Sequence, residues 1–84
     1  MYKVLVVEDS LTVRKIVNKL IEDNPHFTCD LCENLSQAQQ ALEGNNDYLV
    51  AIVDLNLPDA PNGESVELAL SHNVPTVVLT GNFD

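Results

Sequence analysis

The chain has 84 residues, which is enough for one domain and too few for two. Its net charge is −9, from 13 acidic and 4 basic residues, and no Lys or Arg follows Lys19. Nucleic-acid binding needs a cationic surface, so this composition argues against it and suits a divalent cation or a basic protein partner instead. The apolar runs are too short to span a membrane, and the N-terminus lacks the features of a signal peptide. We therefore expect a cytoplasmic protein that does not bind a membrane.

The first quarter of the chain predicts a strand followed by a helix. Val4–Val7 is a continuous apolar run, typical of a strand buried on both faces. Ser10 can cap the helix, and Asn24-Pro25 ends it. The apolar positions of this helix recur at spacings of three and four: Val13, Ile16, Val17, Leu20 and Ile21.

A second strand and helix follow. Phe27–Leu31 alternates apolar and polar residues, as expected for a strand near a sheet edge. Asn34 and Gln37 resemble a capping box, and Gly44 stands where a helix C-terminal glycine would. The residues of this helix predicted to face inward are Leu35, Ala38, Ala41 and Leu42.

The second half repeats the alternation. Tyr48–Val53 is the most hydrophobic run and predicts a central strand, and a polar loop from Leu55 to Gly63 follows it. A helix is then expected at Ser65–Ser71 and a fourth strand at Pro75–Leu79. Alternation with short connections implies right-handed βαβ units and a doubly wound α/β fold with a parallel sheet.

The two cysteines form a C-x-x-C pattern at Cys29 and Cys32. A redox pair of this type belongs at a helix N-terminus, whereas these residues overlap the second predicted strand. Zinc binding by His26, Cys29, Cys32 and His72 is the alternative, but His72 is remote in sequence. We interpret both cysteines as structural.

Acidic residues and a hydroxyl stand where the predicted strands end. Glu8 and Asp9 follow the first strand, Asp54 follows the third and Thr80 the fourth. Ligands bind beyond the carboxyl ends of parallel strands, so these side chains should converge on one rim. Carboxylates in this number repel one another unless a cation joins them, and oxygen ligands suit Mg²⁺. Taken singly, each residue is more simply a cap or turn former; together they predict an Mg²⁺-phosphate site.

Three segments resemble the ordered signatures of two-component response-regulator receiver domains. They are Val-Leu-Val-Val-Glu-Asp-Ser, Ala-Ile-Val-Asp-Leu-Asn-Leu-Pro and Pro-Thr-Val-Val-Leu-Thr-Gly. The resemblance implies a flavodoxin-like fold with strand order 2-1-3-4, in which Asp54 accepts a phosphoryl group.

The same resemblance implies roles for the neighbouring residues. Asp9 would be the main acidic Mg²⁺ ligand, with Glu8 supporting it, and Asn56 would offer its backbone carbonyl. Thr80 would be the switch hydroxyl that meets the phosphoryl group, and Gly81 would leave the acyl phosphate accessible. The expected partners are a sensor histidine kinase or phosphotransfer protein and an output domain C-terminal to this segment.

The chain departs from the family pattern in two places. Gly63 stands one position later than the family's glycine, which implies a one-residue insertion in the loop after Asp54. The family's Lys at the end of a fifth strand has no counterpart here. We interpret residues 1–84 as a C-terminally incomplete receiver domain that lacks the fifth strand and last helices. We therefore expect self-association, through the edge at Thr76–Leu79 or the apolar stripe at Val13–Leu20.

Two rival functions remain beside the phosphoacceptor switch, which is not expected to be a turnover enzyme. The first is a pseudo-receiver that keeps the fold and signals by protein contact alone; phosphate incorporation would discriminate it. The second is a phosphatase of the haloacid dehalogenase type. That class needs a second Asp two residues after the nucleophile, and Asn56 stands there.

Overall fold

The helices and strands follow the predicted alternation. The computed structural model describes residues 1–44 and 47–79. Its elements are, in chain order, β1 (Tyr2–Val7), α1 (Leu11–Glu22), β2 (Phe27–Cys32), α2 (Leu35–Gly44), β3 (Tyr48–Asp54), α3 (Glu64–Ser71) and β4 (Thr76–Leu79). The strands form one parallel sheet in the order β2-β1-β3-β4. The predicted doubly wound α/β class and strand order are confirmed.

The main core lies between the sheet and the helices α2 and α3. Its central strands are β1 and β3, which explains why their sequences are almost continuously apolar. Large side chains that are fully buried come from a strand, a helix and a loop: Leu5, Leu42 and Leu57. The loop after β3 therefore contributes to the core, which fixes its position beside the carboxyl end of that strand.

Both predicted helix caps are present. The Ser10 hydroxyl accepts a hydrogen bond from the Val13 N–H at 3.3 Å, and Asn34 Oδ1 accepts one from the Gln37 N–H at 2.8 Å. Gln37 Oε1 accepts from the Glu33 N–H at 2.8 Å, one residue earlier than in a standard capping box. These bonds satisfy N–H groups that a helix start otherwise leaves unpaired. None of the described helices is long and apolar enough to cross a membrane.

The apolar residues of α1 are not all buried, although their spacing predicts one apolar face directed at the core. Ile16 and Leu20 are more than half exposed, whereas Arg14 is buried. Val4, Leu20, Ile21, Asn24, Phe27, Val50 and Ile52 line an open groove of about 320 Å³ between α1 and the sheet. We define this groove as the α1 groove. Apolar surface of this kind is unfavourable in water, so the α1 groove is a surface that favours association.

We expect the isolated 84-residue chain to self-associate. β4 is an edge strand of the described sheet, and Val77 and Val78 on it are exposed. Its free backbone groups and the α1 groove both favour contact with a second copy. Sedimentation across a concentration series should show a mass above 9.2 kDa that rises with concentration. A chain that remains monomeric and unfolds cooperatively would contradict this prediction.

Candidate functional site

Three acidic side chains meet at the carboxyl edge of the sheet. β1 and β3 pair in parallel up to Val7 and Val53, so the residues that follow them are neighbours. One carboxylate oxygen each from Glu8, Asp9 and Asp54 lies within 4.8 Å of the others. Glu8 and Asp54 are buried, each 4% exposed, whereas Asp9 is exposed to solvent. The prediction that these three residues converge is confirmed, and we call them the acidic triad.

Burial and like charge act together on Glu8. Desolvation by burial is the main cause that raises the pKa of Glu8 from 4.5 to about 7, and the hydrogen bond with Asp9 and the charges of Asp54 and Asp9 raise it further. The Ser10 N–H, which donates to Glu8 Oε1 at 3.0 Å, acts in the opposite direction. The site therefore favours either a bound proton or a bound cation.

The carboxylate and backbone of Asp54 are both held by hydrogen bonds. The Asn56 N–H donates to Asp54 Oδ1 at 3.0 Å. The Ser65 hydroxyl, at the start of α3, donates to the Asp54 carbonyl oxygen at 2.8 Å. Ser65 is 2% exposed, so this bond is shielded from water. These contacts fix the orientation of Asp54 at the end of β3.

The loop from Leu55 to Gly63 is folded on itself. Leu57 and Ala60 exchange backbone hydrogen bonds at 3.3 and 3.1 Å, and both are buried in the core. The Gly63 N–H donates to the Leu55 carbonyl at 3.2 Å and closes the loop. Gly63 has φ +79°, a left-handed conformation that favours glycine. The displaced glycine identified in the sequence thus ends this loop directly before α3.

Asp59 connects that loop to the beginning of α2. Its carboxylate accepts hydrogen bonds from the Leu35 N–H at 2.9 Å and from the Ser36 N–H at 3.2 Å. These bonds lower the pKa of Asp59. Sequence reasoning did not identify this contact, because the two partners are 24 and 23 residues away.

Arg14 makes the corresponding connection on the β1 side. Its Nη1 donates to the Glu8 carbonyl oxygen at 2.7 Å, and its Nη2 lies 3.4 Å from Glu33 Oε1. The guanidinium therefore contacts the acidic triad through the backbone of Glu8 and not through its carboxylate. Sequence reasoning missed this residue too, although Arg14 lies three residues before Val17 and seven before Ile21, on the same helix face.

The other predicted site residues divide into two groups. Asn56 is the second residue after β3, and its N–H bond to Asp54 places it at the acidic triad. Thr80 and Gly81, predicted as the switch hydroxyl and the small residue after it, lie outside the described residues.

The two cysteines lie on β2 and both are free thiols. Cys29 and Cys32 are three residues apart on β2 and therefore point to opposite faces of the sheet. Both thiols are free, and burial is the main cause that raises the pKa of each to about 11. Reactive thiols have lowered pKa values, so the raised values favour the interpretation of both cysteines as structural, which stays a prediction.

The donor set of the acidic triad fits Mg²⁺. Hard carboxylate oxygens are the ligands that Mg²⁺ selects, and one or two of them suffice when water and phosphate complete the coordination. In the described segments, the acidic triad is the group of potential ligands close enough to hold an ion. Glu8, Asp9 and Asp54 are thus the residues that would hold the metal, with the Asn56 carbonyl as the expected backbone ligand.

Comparison with known proteins identifies the class of this domain. Two solved structures described as two-component system response regulator/GGDEF domain proteins match 100% of the chain, one at 37% identity with a TM-score of 0.86 and one at 34% with 0.81. The MaeR response regulator bound to beryllium trifluoride matches the whole chain at 21% identity with a TM-score of 0.84. No protein-family model and no curated protein matches.

The chain is therefore a receiver domain of the two-component response-regulator class, with the flavodoxin-like fold of that class. It spans 34% of the length of each of the two GGDEF-containing chains. Receiver domains are regulatory, so the fold is that of a signalling domain.

Proposed function

We propose that this domain is a phosphoacceptor switch in which Asp54 receives a phosphoryl group in the presence of Mg²⁺. The observation that carries the proposal is the acidic triad, whose oxygens lie within 4.8 Å of one another and in which Glu8 and Asp54 are buried. A buried group of like charges is costly without a cation, and a carboxylate beside a divalent ion is a suitable nucleophile for phosphorus. The similarity to a response regulator bound to beryllium trifluoride, a compound shaped like a phosphoryl group, supports this chemistry.

The proposed reaction is an in-line transfer. An oxygen of Asp54 attacks the phosphorus atom and forms the acyl phosphate, while the bond from phosphorus to the donor breaks and its electron pair leaves with the donor. The Asn56 N–H holds Oδ1 and so orients the second oxygen, Oδ2, for attack. When bound, Mg²⁺ neutralises the negative charge that develops on the phosphoryl oxygens. Glu8 and Asp9 would hold that ion, and Thr80 is proposed to meet the phosphoryl group.

The proposed donor is the phosphohistidine of a sensor histidine kinase or of a phosphotransfer protein. Phosphorylation adds negative charge at the carboxyl end of the sheet. This charge shifts the equilibrium between two conformations of the domain that present different surfaces to a partner. An output domain C-terminal to this segment would read the change. The similarity to proteins that combine a response regulator with a GGDEF domain supports such an arrangement. We also propose that the protein is cytoplasmic, where this signalling takes place.

The experiment is phosphoryl incorporation from a small-molecule donor. Protein incubated with acetyl phosphate and Mg²⁺ should gain the mass of one phosphoryl group, stable in acid and labile in base, as expected for an acyl phosphate. Omitting Mg²⁺ should prevent the gain. No incorporation at any metal concentration would favour the pseudo-receiver alternative, in which the domain signals by protein contact alone.

A further inference from the structure

We propose that Ser65 and Arg14 are positioning residues that hold the acidic triad at metal-binding spacing. Each one is a buried side-chain donor on the helix that follows an acidic strand end, and each binds the backbone carbonyl of a triad member. The inference rests on the proposed function, because it concerns the Mg²⁺ affinity of the same site. The two residues together form what we call the carbonyl clamp.

The Ser65 half of the clamp acts on Asp54. Its hydroxyl donates at 2.8 Å to the Asp54 carbonyl, and Ser65 is 2% exposed, so no water can replace the bond readily. That carbonyl belongs to the peptide leading into Leu55 and Asn56. Because the Asn56 N–H in turn holds Asp54 Oδ1, a rotation of this peptide would move both the nucleophile and the expected carbonyl ligand.

The Arg14 half acts on Glu8 in the same way. Nη1 donates at 2.7 Å to the Glu8 carbonyl, and Arg14 is 8% exposed. Nη2 approaches Glu33, which follows β2, so the guanidinium ties the end of β1 to the end of its neighbouring strand. A hydrogen bond from a charged donor is stronger than one from a neutral group, so this half is the stronger of the two.

The clamp matters because the triad members repel one another. Without a cation, three carboxylates at this spacing favour any backbone movement that separates them. A donor fixed on each carbonyl restricts that movement, since the carbonyl and the carboxylate belong to the same residue. The site is thereby preorganised for a small ion that requires near-ideal octahedral geometry.

The test is metal affinity, measured on metal-free protein without any phosphodonor. Mn²⁺ is titrated into the protein, and the free Mn²⁺ concentration is followed by electron paramagnetic resonance to give the Kd for Mn²⁺. Competition with Mg²⁺ then gives the Kd for Mg²⁺. Ser65→Ala and Ser65→Cys should each raise the Kd for Mn²⁺ about tenfold, the usual scale for loss of a ligand-orienting contact. Alanine leaves a space at the hydroxyl, whereas cysteine fills it with a somewhat larger thiol that is a weak donor, so a similar effect of both variants separates the hydrogen bond from packing. Arg14→Met should have at least as large an effect, and Arg14→Lys a smaller one because lysine keeps a charged donor.

The chain offers a matched control for each residue. Ser71 lies at the other end of α3, where its hydroxyl donates to the Leu68 carbonyl at 2.7 Å, so Ser71→Ala removes the same kind of bond away from the site. Lys15→Met removes one exposed cation from α1 beside Arg14 and controls for the net charge. Both controls should keep the wild-type Kd.

The outcomes separate this inference from the proposed function. If the wild type binds Mn²⁺ and the Ser65 and Arg14 variants bind it more weakly, the carbonyl clamp is supported. Wild-type binding with unchanged affinity in folded Ser65→Cys and Arg14→Met proteins, even if their melting temperatures fall, overturns it and leaves the proposed function intact. Absence of Mn²⁺ and Mg²⁺ binding by the wild type overturns both.

Discussion

Replacing Asp54 with Asn is expected to abolish phosphoryl incorporation completely. An amide cannot replace the carboxylate as nucleophile, so the reaction should stop completely and not merely become slower. The substitution should preserve the fold, because the Asn side-chain oxygen can still accept from the Asn56 N–H, as Asp54 Oδ1 does at 3.0 Å. Removing one of the buried like charges should also leave the metal-free variant at least as stable as the wild type.

The measurement is the intact mass after incubation with acetyl phosphate and Mg²⁺, with thermal unfolding in parallel. Asp23→Asn is the matched control, since Asp23 is an exposed carboxylate at the end of α1. That variant should take up the phosphoryl group as the wild type does. Labelling that persists in Asp54→Asn would move the acceptor to another residue and exclude the proposed mechanism.

The fold was predictable because the sequence carries strong local patterns. Continuous apolar runs such as Val4–Val7 mark strands buried on both faces, and a predicted helix between successive strands implies a parallel arrangement. The strand order was available only through the family resemblance. The exposed side of α1 was not predicted, because spacing indicates which residues share a helix face and not whether another element covers that face.

The acidic triad was predictable for a related reason. In a parallel sheet, the ends of neighbouring strands determine which side chains meet, so Glu8, Asp9 and Asp54 could be placed together from their positions alone. Ser65, Arg14 and Asp59 could not. Each binds a backbone group on another element, and such bonds depend on the final packing rather than on spacing. Arg14 in particular resembles an ordinary exposed helix cation until its partner carbonyl is known.

Between pH 4.5 and about 7, the metal-free protein is expected to lose stability as pH rises. Glu8 has its pKa raised from 4.5 to about 7 in the folded state, mainly by burial, so the folded protein binds more protons than the unfolded chain in this interval. The contribution of Glu8 is therefore fully present below the unfolded pKa and is lost as pH rises through the folded one. A shift of this size corresponds to about 3 kcal/mol, which is large beside the total stability of a small domain. Denaturant unfolding at successive pH values measures it.

Two variants and the addition of Mg²⁺ test whether Glu8 causes this pH dependence of stability. Glu8→Gln should flatten the pH dependence, because the amide has no charge to bury, whereas Glu67→Gln on the exposed side of α3 should leave it unchanged. Mg²⁺ binds the deprotonated carboxylates, so its stabilising effect should grow with pH, reaching about 2.7 kcal/mol at a hundredfold excess over Kd. Asp9→Asn should remove that effect by taking away the main acidic ligand. If wild type and Glu8→Gln instead lose stability in parallel, the buried carboxylate is stabilised by its Ser10 N–H bond and carries its charge without a cation.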